Sequence, residues 1–121
     1  MNIKQLLISG VTMLLFDFIY LSAFSGFFNK LVTSVQGYKI KFNAVGAILC
    51  YILLISGLNY FIISRKKSLQ EAFLFGIVIY GVYETTNLAI LDKWTMQSVL
   101  LDTFWGGILF ALTTKITYLL A

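Results

Sequence analysis

Three carboxylic acids, Asp17, Glu84 and Asp102, stand inside stretches otherwise apolar enough to cross a bilayer, and a fourth, Asp92, falls at a predicted helix end. Placing an ionisable group in hydrocarbon costs about 2.5–3.5 kcal/mol on insertion scales, so such residues by default mark a functional site. Carboxyls at that depth can exchange protons, hold a cation, or pass a proton to a bound group. No Lys or Arg lies near the middle of any of these stretches to neutralise them.

The spacing gives the acids a common depth. At a rise of ~1.5 Å per residue, Asp17 lies about 18 Å, Glu84 about 20 Å and Asp102 about 22 Å from the face that carries the chain termini. Each has a hydrogen-bonding residue three positions on, which a helix places on the same side: Asp17 with Tyr20, Glu84 with Asn87, and Asp102 with Trp105. Tyr80, Gly81, Glu84 and Asn87 form one stripe, flanked by Tyr83, Thr85 and Thr86. Ser98, Asp102, Trp105, Gly106 and Thr113 form another. Both are expected to face inward, making an intramembrane binding layer of Asp17, Tyr80, Tyr83, Glu84, Asn87, Asp102 and Trp105. Three ionised carboxylates cannot share a dry core. At least one is therefore expected to carry its proton at neutral pH, or a cation to sit among them. The competing reading makes the protonated acids hydrogen-bonding glue between helices.

The elements that must position this layer follow from composition. The chain has 121 residues, 60% of them hydrophobic and 12% charged, with a mean hydropathy of +0.89. That is too apolar for a small soluble domain and points to an integral membrane protein of one domain. Four stretches, near 5–25, 42–63, 71–91 and 97–118, are long enough to span ~30 Å of hydrocarbon. The first holds Asp17 and exceeds the apolar core of a cleavable signal, so it is expected to remain as a span. Between the first two, Phe27, Phe28, Leu31, Val32 and Val35 recur at helical spacing among polar residues, predicting a short interfacial helix. The other two connections are short, which makes their helices antiparallel neighbours. The predicted fold is an all-α, four-helix membrane bundle.

Smaller features complete the reading. Gly46, Cys50 and Gly57 form a small-residue seam suited to close helix packing. Trp94, Tyr38 and Tyr118 suit interfacial anchors, and Asn59 and Lys115 are placed to reach headgroups. With four spans the termini share a side, together with Lys4, Arg65, Lys66, Lys67 and Lys115, against Lys30, Lys39, Lys41 and Lys93 opposite. The compact triple cluster favours cytoplasmic termini, by a bias small enough to leave dual topology open. The net charge of +4 is carried at span ends, where it meets anionic headgroups; nucleic acid is not an expected partner. The chain has no His and one cysteine, Cys50. It carries no metal-ligand motif, phosphate loop or nucleophile pair, so neither a metal nor a cofactor is expected, nor any catalytic residue assigned.

The string Tyr80-Gly81-Val82-Tyr83-Glu84-Thr85-Thr86-Asn87-Leu88-Ala89, continuing to Leu91 and Trp94, resembles a family of small bacterial predicted membrane proteins, domain-of-unknown-function family 2177. Asp102 to Gly106, read as D-x-x-W-G, and Asp17 with Tyr20-Leu21 extend the resemblance to nearly the whole chain. Two positions depart from the family pattern: Tyr20 stands where Trp is usual, and Glu84 where the shorter Asp is common. The resemblance implies a four-span membrane protein and no established activity.

Three functional classes follow. The leading expectation is a small permease in which Asp17, Glu84 and Asp102 exchange protons or a cation for cargo. The second is an enzyme or accessory of lipid modification, with an acid acting on a lipid group. The third is an assembly protein. The expected partners are the bilayer, a proton or small cation, and, since so small a bundle encloses little interior, a second copy of the chain.

Overall fold

In hydrocarbon an unpaired backbone N–H or C=O costs several kcal/mol, so apolar segments must close their own hydrogen bonds as helices. The computed structural model describes residues 1–121 and contains five. They are α1 (Ile3–Ala23), α2 (Ser25–Gln36), α3 (Ala44–Leu58), α4 (Leu69–Ile90) and α5 (Met96–Leu120). A π-helical turn, Asn59–Ile63, extends α3. Helix α1, α3 with its extension, α4 and α5 are each long and apolar enough to cross a membrane. The fold is therefore all-α with four candidate spans, and the short helix α2 lies between the first two, as the sequence predicts.

Helix ends are set by local chemistry. Asn2 Oδ1 accepts from the Lys4 and Gln5 amides at the start of α1, Asn43 Oδ1 from Gly46 in α3, and Thr95 Oγ1 from Ser98 in α5. Helix α4 opens on a reciprocal pair: Ser68 Oγ accepts from the Glu71 amide at 3.1 Å, and Glu71 Oε2 accepts from the Ser68 amide at 2.9 Å. Ser68→Ala removes half of this arrangement and is expected to cost about 1 kcal/mol, read as a lowered melting temperature in detergent. Gly37, at φ 88°, ends α2 in the left-handed conformation that a residue without Cβ adopts freely.

Helices α4 and α5 form the most extensive contact, with α1 laid along α5 and α3 along α1. The core gathers Met13, Leu58, Ile62, Ile63, Ala72, Leu109 and Phe110. Outward surfaces carry Leu7, Val11, Phe18, Leu53, Leu74, Val82 and Leu100, all exposed and suited to acyl chains.

The tight seam is not where the small residues of the second span placed it. Gly46 and Cys50 are exposed, and a Cβ on Gly46 would meet only its own cap residue, Asn43. Close packing occurs instead between α4 and α5, where Gly76 lies against the Gly106 carbonyl, and Gly106 and Gly107 lie under the Tyr80 and Phe73 rings. A stripe of small residues permits close approach only where a partner helix arrives; the α3 and α4 backbones stay apart, and Gly57, the third residue of the stripe, meets only the Phe75 ring of α4 at ordinary contact distance.

Candidate functional site

Asp17, Glu84 and Asp102 are all buried, and neutral donors from neighbouring segments reach each of them. Asp17 on α1 accepts from Trp105 Nε1 of α5 at 3.0 Å and from the Tyr51 hydroxyl of α3. Asp102 on α5 accepts from the Tyr20 hydroxyl of α1 at 3.0 Å. Glu84 Oε1 on α4 accepts from Ser98 Oγ and from Trp94 Nε1, each at 2.9 Å. Glu84 Oε2 is buried and takes no hydrogen bond, and the Glu84 and Asp17 carboxyls each lie near enough to Asp102 to act on it electrostatically. Carboxyl groups and their donors thus join α1, α3, α4 and α5.

The pairs expected from sequence spacing are exchanged across the helix interface. Tyr20 bonds Asp102 rather than Asp17, and Trp105 bonds Asp17 rather than Asp102. The cause is geometric. Side chains at i and i+3 leave a helix side by side and point the same way. When two helices lie antiparallel, the acid of each therefore faces the donor of the other. The two aromatic donors meet between the acids, the Tyr20 and Trp105 rings stacking with centroids 4.6 Å apart at 6°. Near-parallel stacking locks both rings and so aims both donors.

Other expected members behave differently. Asn87 is half-buried and sits beside the Tyr83 hydroxyl rather than bonding Glu84. Tyr83 is 58% exposed, yet it lines the same cavity as Asp102. Trp94, placed by its position at the interface, folds back to donate to Glu84. Asn59 does not reach headgroups: it is 1% exposed, and its amide donates to Ser9 Oγ and the Ile55 carbonyl, both at 2.8 Å. Tyr51 escaped the sequence reading. Its one signal is a phenol set among Ile and Leu near the middle of the second span, whereas Tyr60 stands near that span's end.

Because α3 and α4 diverge, a cavity of about 310 Å³ opens between them, lined by Cys50, Leu54, Ile79, Tyr80, Tyr83 and Asp102. Its walls are apolar apart from the phenols, the thiol and the carboxyl. A larger groove, about 480 Å³ on the outer face of α4 and α5, is lined by residues such as Val78, Val82, Leu100 and Phe104 and touches none of the acids. The acids form a chain rather than a cage, since nowhere do three acid, His or Cys side chains converge closely enough to hold one metal ion. No basic residue pairs with them either, the one ion pair being Lys67 with Glu71 at 4.0 Å. The arrangement can store and move protons, or attract a positive group to Asp102.

No curated protein and no solved structure gives a significant match to this chain. The sequence profile of the predicted membrane protein family DUF2177 matches residues 2–119, nearly the whole molecule. With four candidate spans in place and a family match of that extent, the chain is a multi-pass membrane protein belonging to the domain-of-unknown-function family 2177.

Proposed function

We propose that the protein is a small carrier that exchanges protons on its buried carboxyls for a cationic, membrane-dissolved substrate. One observation carries the reading: Asp102 belongs at once to the carboxyl chain and to the wall of the cavity between α3 and α4. A substrate with an apolar body fits the Leu54 and Ile79 walls, and its positive group supplies the countercharge that no Lys or Arg of the spans provides. Binding at Asp102 displaces a proton, which Glu84 and Asp17, its neighbours, can take up or release.

The deciding measurement is proton-coupled uptake of amphiphilic amines into proteoliposomes. Uptake driven by a pH gradient is expected to fall more than 10-fold in Asp102→Asn and Glu84→Gln. Wild-type vesicles indistinguishable from empty ones would remove the reading.

A second reading is favoured by the number of neutral donors that reach the acids, which leave only Glu84 Oε2 among the buried carboxyl oxygens without a hydrogen bond. Neutral donors from several helices reach the acids, as in a protein whose polar layer serves assembly. Under it, the same amide variants retain full biological function. Loss of function with folding intact excludes it.

A further inference from the structure

A second buried polar level lies below the carboxyls, and the helix registers define it. On α1 and α5, which run antiparallel, Asp17 faces Trp105. Stepping four residues at a time down α1, from Asp17 to Met13 to Ser9, brings Leu109 and then Thr113 opposite on α5. On α3, Asp17 faces Tyr51, and the same steps bring Ile55 and then Asn59 opposite, where Asn59 does bond Ser9. Three levels therefore repeat at ~6 Å intervals. The carboxyl level is followed by a septum of Met13, Leu109 and Phe110, each wholly buried. Below that lies a level of Ser9, Asn59, Thr113 and Thr114, all buried.

This lower level is short of partners. Asn59 Oδ1, Thr113 Oγ1 and Thr114 Oγ1 are buried and make no hydrogen bond. Leaving such groups bare is costly, and helical threonines would ordinarily satisfy themselves on the preceding turn. Asn59 begins the π-helical turn, a distortion that often marks functional positions. The unmet needs are specific: one carbonyl oxygen seeking a donor, and two hydroxyls able to donate and accept. No acid or base stands among these four residues, so a bare ion would find no countercharge.

We propose that the Ser9–Asn59–Thr113–Thr114 level binds ordered water and forms the proton route from the terminal-side face toward the carboxyls. Water donates to Asn59 Oδ1 and accepts from the threonine hydroxyls, giving it the two to four partners that buried waters have. One step nearer the terminal-side face, Gln5 and fully buried Thr117 continue the polar line. The septum above is one helical turn thick, and Met13, unbranched and adaptable, is the part of it able to yield. Protons move along this water without any net change in the side chains that hold it.

The route rests on the carrier reading; the water site does not, and the test separates them. In nanodiscs, magnetisation transfer from water is expected to reach the Asn59 side-chain amide and the Thr113 and Thr114 methyls, and to vanish in the isosteric Thr113→Val/Thr114→Val double variant. No transfer in the wild type would overturn the water site. The double variant is also expected to lower pH-driven uptake about 10-fold, while equilibrium binding of the same amine at Asp102 stays within 2-fold of wild type. Undiminished uptake would overturn the route. A wild type with no uptake would end the carrier reading and the route together, with the water readout still deciding the site.

Discussion

Replacing Gly76 with alanine is expected to destabilise the protein more than any other single methyl addition. A Cβ at this position would fall inside contact distance of the Gly106 carbonyl oxygen and carbon and reach 3.0 Å from the Gly107 Cα. Backbone of a paired helix cannot rotate away as a side chain can, so the two helices must separate. Overpacking a rigid contact costs about 1–3 kcal/mol, with the upper end expected where backbone meets backbone. Separation also pulls Glu84 from Ser98, which bond across the same interface. Gly46→Ala supplies the control, because an added methyl there meets nothing but the Asn43 side chain at ordinary distance. Thermal unfolding in detergent should show a large drop for Gly76→Ala and almost none for Gly46→Ala. Equal melting temperatures would mean that α4 and α5 do not pack as described.

Asp17→Leu is expected to be the most damaging change in the carboxyl level, and Asp17→Asn a mild one for folding. Asp17 offers a separate oxygen to each of two donors, Oδ1 to the Trp105 indole and Oδ2 to the Tyr51 phenol. Leucine strands both, at about 1–3 kcal/mol for each buried donor left unpaired. Asparagine keeps one carbonyl oxygen for the indole, which can only donate. Its amide then donates to the phenol, which can rotate and accept. Folding stability by denaturation in detergent should therefore fall by several kcal/mol in Asp17→Leu and by about 1 kcal/mol or less in Asp17→Asn. Because the amide cannot take up or release a proton, Asp17→Asn is expected to lose pH-driven uptake despite folding. An assembly role predicts that it keeps all function.

What could be read directly from residues was the layer and its medium. Long apolar runs dictate helices in hydrocarbon, and the spans begin and end within a few residues of their predicted limits because capping residues such as Ser68 and Thr95 stand beside them. The common depth of Asp17, Glu84 and Asp102 follows from counting along helices of known rise, and their burial is in keeping with that depth. The amphipathic pattern after the first span likewise predicts α2, whose one buried residue is Leu31.

Partnerships were not legible in the same way. Spacing within one helix suggests Asp17 with Tyr20, Glu84 with Asn87 and Asp102 with Trp105, yet Tyr20 and Trp105 each cross to the other helix's acid and Glu84 takes Ser98 and Trp94 instead. Trp94 and Asn59 were placed at the membrane surface by position alone. Trp94 turns inward because the Glu84 carboxyl offers it an acceptor, and Asn59 because Ser9 does. Seams mislead for a related reason, since Gly46 and Cys50 look as suited to close contact as Gly76 until the neighbouring helix is in place.

By itself, the sequence determined that this chain is apolar, helical and multi-spanning, and that its acids share a depth, because those properties depend on periodicity and transfer energy along one strand of chain. Only the tertiary structure decided which acid meets which donor, where the backbones touch, and that a cavity reaches Asp102 between α3 and α4. Those outcomes depend on the register and separation of helices far apart in sequence. Such quantities are set by packing all four spans at once, and a local pattern carries no record of them.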